Sequence, residues 1–124
     1  MSRRTIAIAA ALSVLALGSP LITGCTNPLA TQYFNQGVEK YEAGNYQGAI
    51  ADFTKAIEIN PQDAGAYSNR GIVKDNLGDY EGAIADFTKA IEIYPQNAIA
   101  YSNRGNAKNG LQDYQGAIAD FTKA

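Results

Sequence analysis

The chain has 124 residues, with 12 acidic and 10 basic groups, one cysteine, no histidine and no tryptophan. Without Arg3 and Arg4, which sit in a segment read below as cleaved, 8 basic groups remain and the net charge is near −4. A nucleic-acid binder is basic on at least one face, and no Lys/Arg cluster follows Arg4. The usual general base near neutral pH and the commonest zinc ligand are both missing. One cysteine closes no internal disulfide, and the length admits one small domain.

Met1-Ser-Arg-Arg4 is a short positive segment, and Ile6 to Leu17 follows as an uncharged apolar run interrupted by Ser13. Gly18-Ser19-Pro20 breaks that helix. The run is too short to span about 30 Å of hydrocarbon but fits the apolar core of a signal peptide. Ile22-Thr23-Gly24-Cys25 then resembles a bacterial lipobox. That resemblance implies cleavage after residue 24, a diacylglycerylated Cys25 and a linker over 25–29. Two acyl chains anchor stably, at about 0.8 kcal/mol per buried CH₂. The domain would then sit, lipid-anchored, at the extracytoplasmic face of a bacterial membrane. Ordinary secretory cleavage leaving a free thiol is the competing reading. Ser2-Arg3-Arg4 also resembles the start of a twin-arginine signal, although the residues after Thr5 fit poorly. Thr26, in place of an inner-membrane retention aspartate, leans towards an outer membrane.

The remainder repeats. Residues 64–90 and 98–124 share 20 of 27 aligned positions at an offset of 34. The same offset carries Tyr80–Ala90 back onto Tyr46–Ala56, and Pro61 onto Pro95. Each unit reads as two helices, the first near 31–43, 65–77 and 99–111, the second near 46–59, 80–93 and 114–124. Gly44 and Gly78 suit left-handed C-caps, and Asn45, Asp79 and Asp113 suit N-caps of the second helix. Ala49, Ile50, Phe53, Ala56 and Ile57 form a helically spaced apolar stripe. Pro61 and Pro95 close the units, because proline cannot continue a helix interior.

A 34-residue helix-turn-helix period with this pattern resembles the tetratricopeptide repeat (TPR) family. Gly37, Gly71 and Gly105 match its first-helix glycine, and Ala49, Ala83 and Ala117 the small residue facing it. Tyr46, Tyr80 and Tyr114 match the aromatic opening the second helix. Phe53, Phe87 and Phe121, then Ala56, Ala90 and Ala124, then Pro61 and Pro95, complete the motif. Tyr33, Tyr67 and Tyr101 stand where the family most often has tryptophan. The resemblance covers 30–124 and implies an all-α fold, a right-handed α-solenoid of stacked units: 30–63, 64–97 and a truncated 98–124. Gln36, Arg70 and Arg104 replace the family's leucine, and Gln112 replaces the third turn glycine. Repeat arrays generally need about three units and a polar cap. The expectation is therefore that the chain is a truncated form, or that something covers Phe121.

No catalytic constellation stands out. Asp52, Asp86 and Asp120 each precede a lysine by three residues (Lys55, Lys89, Lys123), which reads as an exposed ion-paired helix face. Arg70 and Arg104 are expected to pair with Asp86 and Asp120, their stems packed; anchoring a ligand carboxylate is the alternative. The eight tyrosines read as core aromatics at repeat spacing. Ser68 and Ser102 lack an activating histidine.

The resemblance implies a concave groove lined by the first helices. Phe34, Asn35, Val38 and Tyr41 would face it from the first unit, and Ser68, Asn69, Ile72 and Asp75 from the second. Ser102, Asn103, Asn106 and Asn109 would follow from the third. Asn35, Asn69 and Asn103 recur at the repeat period; an amide both donates and accepts, which suits an extended peptide backbone. The alternative is that they support neighbouring loops. The family's chaperone-tail binders clamp a terminal carboxylate with lysines and arginines, and no matching lysine pattern occurs here. The expectation is a membrane-tethered, non-enzymatic adaptor for a protein or peptide partner in the bacterial envelope, with no cofactor, metal or nucleic acid. The alternative is self-association through the uncapped end at Ile118, Phe121 and Ala124.

Overall fold

A computed structural model describes residues 27–124. Residues 1–26, on which the expected signal segment and lipidated Cys25 fall, lie outside the described residues. Among the described residues run six helices: α1 (Pro28–Glu42), α2 (Tyr46–Ile59), α3 (Ala64–Asn76), α4 (Tyr80–Ile93), α5 (Ala98–Gly110) and α6 (Tyr114–Lys123). None is long and apolar enough to cross a membrane.

Asx residues open all six. Asn45, Asp79 and Asp113 cap α2, α4 and α6 as expected, each accepting from the backbone N–H three residues on. Asn27, Asp63 and Asn97 do the same for α1, α3 and α5. Each cap satisfies an N–H that would otherwise lack an intrahelical partner. Asn27 and Pro28 start α1 inside the segment read as linker, since proline at the first helical position loses no needed donor. The α1–α2 and α3–α4 turns pass through Gly44 and Gly78, both at φ +83°. Gln112 adopts the same left-handed conformation at φ +66°, at a cost of about 1 kcal/mol for a residue with a Cβ.

Each helix pair packs on itself, and α2–α3 and α4–α5 join successive units. First helices also approach one another, α1 to α3 and α3 to α5, whereas the second helices do not. The α-solenoid therefore bends with its first helices inside. The core is small in side chain and repeated in kind: Ala49 and Phe53 with Val73, then Ala83 and Phe87 with Ala107. The glycines at 37, 71 and 105 make room for the rings of Phe53, Phe87 and Phe121, not for the alanines. A Cβ at Gly71 would lie 2.8 Å from the Phe87 ring. Ala56 and Ala90 are fully buried, and Pro61 and Pro95 sit in the exposed turns between units.

The two ends differ. Phe53 and Phe87 are 1% and 0% exposed, but Phe121 is 41% exposed because no further first helix covers it among the described residues. Tyr114 and Ile118 lie open beside it, and Tyr94 is exposed as well, so the tyrosines are not uniformly core. At the other end, Gln32 and Glu39 are exposed where Ala66, Val73, Ala100 and Ala107 are buried. The outer face of α1 is polar at the positions its counterparts bury.

Candidate peptide groove

The aspartates of the second helices are not an exposed ion-paired face. Asp52, Asp86 and Asp120 are buried and reach back to the first helix of their own unit. Their i+3 lysines face away; Lys55 and Lys89 meet Glu58 and Glu92 instead. Arg70 grips Asp86 with two parallel bonds of 2.8 Å, and Lys74 adds a third contact at 3.1 Å. Arg104 and Lys108 repeat this on Asp120. Hydrogen bonding to Asp86 holds the Arg70 guanidinium above its ordinary pKa, against the opposing effect of burial. Each arginine also lies over a ring of its own helix, Arg70 over Tyr67 and Arg104 over Tyr101. In the first unit Gln36 stands at the arginine position, and Asp52 is left with Lys40 at 2.9 Å. The arginines are therefore structural pairs, with no free fork for a ligand carboxylate.

With these cations drawn into the ion pairs, the inner surface is apolar and amide-bearing. Between α1 and α3 lies a cleft of about 230 Å³, lined by Val38, Tyr41, Glu42, Phe53, Asn69, Ile72 and Val73. Phe53 is its floor, since that ring is almost fully buried. Of the residues assigned to the groove, Val38, Tyr41, Asn69 and Ile72 come together here. Tyr41 is fixed by its hydroxyl, which accepts from Asn76 Nδ2 at 2.8 Å and ties α1 to α3. Phe34 does not line the cleft: it packs edge-on against Phe53, with ring centroids 5.6 Å apart, and belongs to the core between the first two units. Asn35 is exposed. Ser68, Asp75, Ser102 and Asn103 are half-buried, and Asn106 and Asn109 are exposed further along the array. Glu42, Phe53 and Val73 line the cleft without having been singled out for it. Val73 was detectable as the residue after Ile72, but its burial depends on α2.

Burial raises the Asp75 carboxyl above its ordinary pKa. Among the described residues no group of three or more His, Cys, Asp or Glu side chains could hold a metal. The chemistry on offer is apolar contact with amide and carboxylate groups at its rim, which is recognition.

The family model for the tetratricopeptide repeat matches residues 64–97, and a second TPR model matches 37–74. The TPR domain of Arabidopsis OM64 is 32% identical, with a TM-score of 0.75 over 76% of this chain and 78% of that one. The chain belongs to the tetratricopeptide repeat family. The structure of MamA is also 32% identical, with a TM-score of 0.74 over 76% of this chain. This TPR chain spans about half of MamA, 51% of its length. The first TPR of Spaghetti (RPAP3), bound to the HSP90 peptide SRMEEVD, is 26% identical with a TM-score of 0.77, covering 79% of this chain and 78% of that one. No curated protein matches the chain. TPR arrays of this kind mediate protein–protein interaction, and peptide capture is seen directly in that Spaghetti domain.

Proposed function

We propose that the chain is a membrane-tethered TPR adaptor of the bacterial envelope that holds an extended peptide segment in the α1–α3 cleft. The observation that supports this most is the cleft itself: a preformed apolar concavity with an asparagine at its rim, on the inner side of a curved array. The lipobox-like Ile22-Thr23-Gly24-Cys25 supports the tether. No catalytic step belongs to this reading. The partner differs from the SRMEEVD peptide of the Spaghetti domain, with its two glutamates and aspartate, because the first helices here present no unpaired lysine or arginine among the described residues.

Photo-crosslinking in the native envelope tests the groove. A crosslinker in place of Asn69 is expected to trap a partner, and one in place of the exposed Glu92 on α4 is expected not to. Equal adducts from both faces would remove the groove from the mechanism. An intact mass from the membrane fraction equal to residues 25 onward plus lipid is expected for the tether; an unlipidated mass in the soluble fraction would remove it.

A second reading rests on the open face of α6, where Tyr114, Ile118 and Phe121 are 59%, 64% and 41% exposed. Such a patch seeks cover. Stacking on α1 of another copy would set Gln32 and Glu39 against these apolar side chains, so a second copy would meet α6 through a two-fold contact. Sedimentation of Ile118→Lys beside the parent chain tests it: a parent that sediments as a monomer at all concentrations ends this reading.

A further inference from the structure

The charge around the cleft points to a more specific occupant: we infer that it takes an extended segment in which an apolar side chain stands next to a lysine or arginine. The inference rests on the groove reading above and narrows it. An apolar side chain is set by the floor, where Phe53, Val38 and Ile72 offer carbon and about 230 Å³ of room. The neighbouring cation is set by what the helices leave uncompensated.

Five basic side chains stand on α1, α3 and α5. All five are engaged by aspartates of the second helices: Lys40 by Asp52, Arg70 and Lys74 by Asp86, Arg104 and Lys108 by Asp120. These aspartates are buried, and Arg70, Lys74, Arg104 and Lys108 are largely covered against them; Lys40 stays more open but is held by Asp52 at 2.9 Å. The acids near the cleft have no such partner. Glu42 lines it and forms no ion pair within 4.0 Å among the described residues. Asp75 stands three residues beyond Ile72, one turn along the same face of α3, and is likewise unpaired. The Asp75 carboxyl is partly desolvated, which makes a cation there more welcome than water alone provides. A glutamate or aspartate beside the apolar anchor would meet two like charges and no free cation, and like-charge contacts are what exclude wrong partners at an interface.

The test uses the full chain and labelled synthetic peptides in fluorescence anisotropy. Each peptide carries one leucine in a glycine-serine background, next to lysine, glutamine or glutamate. The lysine peptide is expected to bind about fivefold tighter than the glutamine peptide, the ratio that two rim ion pairs of ordinary strength produce. The glutamate peptide is expected to bind more weakly than either. The lysine preference is expected to fall with added salt and to shrink towards unity in Glu42→Gln/Asp75→Asn. Circular dichroism of that variant checks that the helices remain. Leucine-dependent binding indifferent to the neighbouring charge would overturn the inference and leave the groove reading intact. Lysine-dependent binding that survives Leu→Ser in the peptide would also overturn it, since the attraction would then be charge alone. Failure of every peptide, with the fold intact, would overturn both.

Discussion

Arg70 Nη1 on α3 donates to Thr54 Oγ1 on α2 at 3.0 Å, across the boundary between the first and second units. The same guanidinium holds Asp86 within its own unit, so one side chain fastens two repeats. Arg104 repeats the device with Thr88 and Asp120. The first unit, with no preceding second helix among the described residues, has Gln36 at this position.

Removing the anion should harm this site more than removing the arginine. Asp86→Ala leaves Arg70 and Lys74 facing each other beside a vacated carboxylate, and breaking a buried pair costs about 3–5 kcal/mol. Arg70→Met leaves Asp86 with Lys74 at 3.1 Å, and the loss is about 1.5–3 kcal/mol for charged hydrogen bonds. Urea denaturation of the two variants measures the order; a larger loss for Arg70→Met would show that Lys74 compensates nothing.

The three glycines beside the phenylalanine rings should not respond alike. Gly71→Ala places a methyl 2.8 Å from the fully buried Phe87 ring, and Gly105→Ala places one 2.7 Å from Phe121. Alanine gains about 1 kcal/mol of helix propensity at either site, while overpacking costs about 1–3 kcal/mol where the neighbour cannot move. Phe121 can swing into solvent. Gly71→Ala is therefore expected to lower stability and Gly105→Ala to be near neutral, both read from denaturation midpoints. Equal losses would mean that the open end is as rigid as the middle.

Acid should loosen the third unit through Asp120. Burial, the largest single influence, acts to raise its carboxyl, but the hydrogen bonds and positive charges of Arg104 and Lys108 together outweigh it and the pKa lies below the ordinary 3.8. A group with a lowered folded-state pKa lends stability that is present above the unfolded value and lost as pH falls through the folded one. Helix content followed by circular dichroism should therefore drop below about pH 4, with a shallower acid dependence in Asp120→Asn. Parallel acid curves for the two proteins would contradict this assignment.

Gln112 offers a simple gain. Its φ of +66° matches the role of Gly44 and Gly78. Gln112→Gly should raise stability by about 1 kcal/mol by removing the Cβ from a left-handed residue. A thermal midpoint unchanged by the substitution would show that the third turn relaxes without penalty.

The candidate groove was only half legible. Val38, Tyr41, Asn69 and Ile72 were placed by their register on the first helices, and the cleft gathers them. Phe34 carries the same register but is drawn into the core by Phe53, an attraction that periodicity does not report. Asp52, Asp86 and Asp120 read as exposed because their i+3 lysines are; their burial follows from facing a first-helix lysine or arginine in space.

What the amino-acid order determined alone was local and periodic. The 34-residue repeat, the helix pairs, the Asx caps and the left-handed turns follow from spacing and from single-residue backbone preferences. Tertiary structure decided what differs between equivalent positions. Phe53, Phe87 and Phe121 occupy the same place in the repeat, yet only the first two are sealed. Glu39 and Val73 share a place as well, yet only one is covered. A repeat assigns each copy the same face, whereas burial and charge pairing depend on which helix lies across from it.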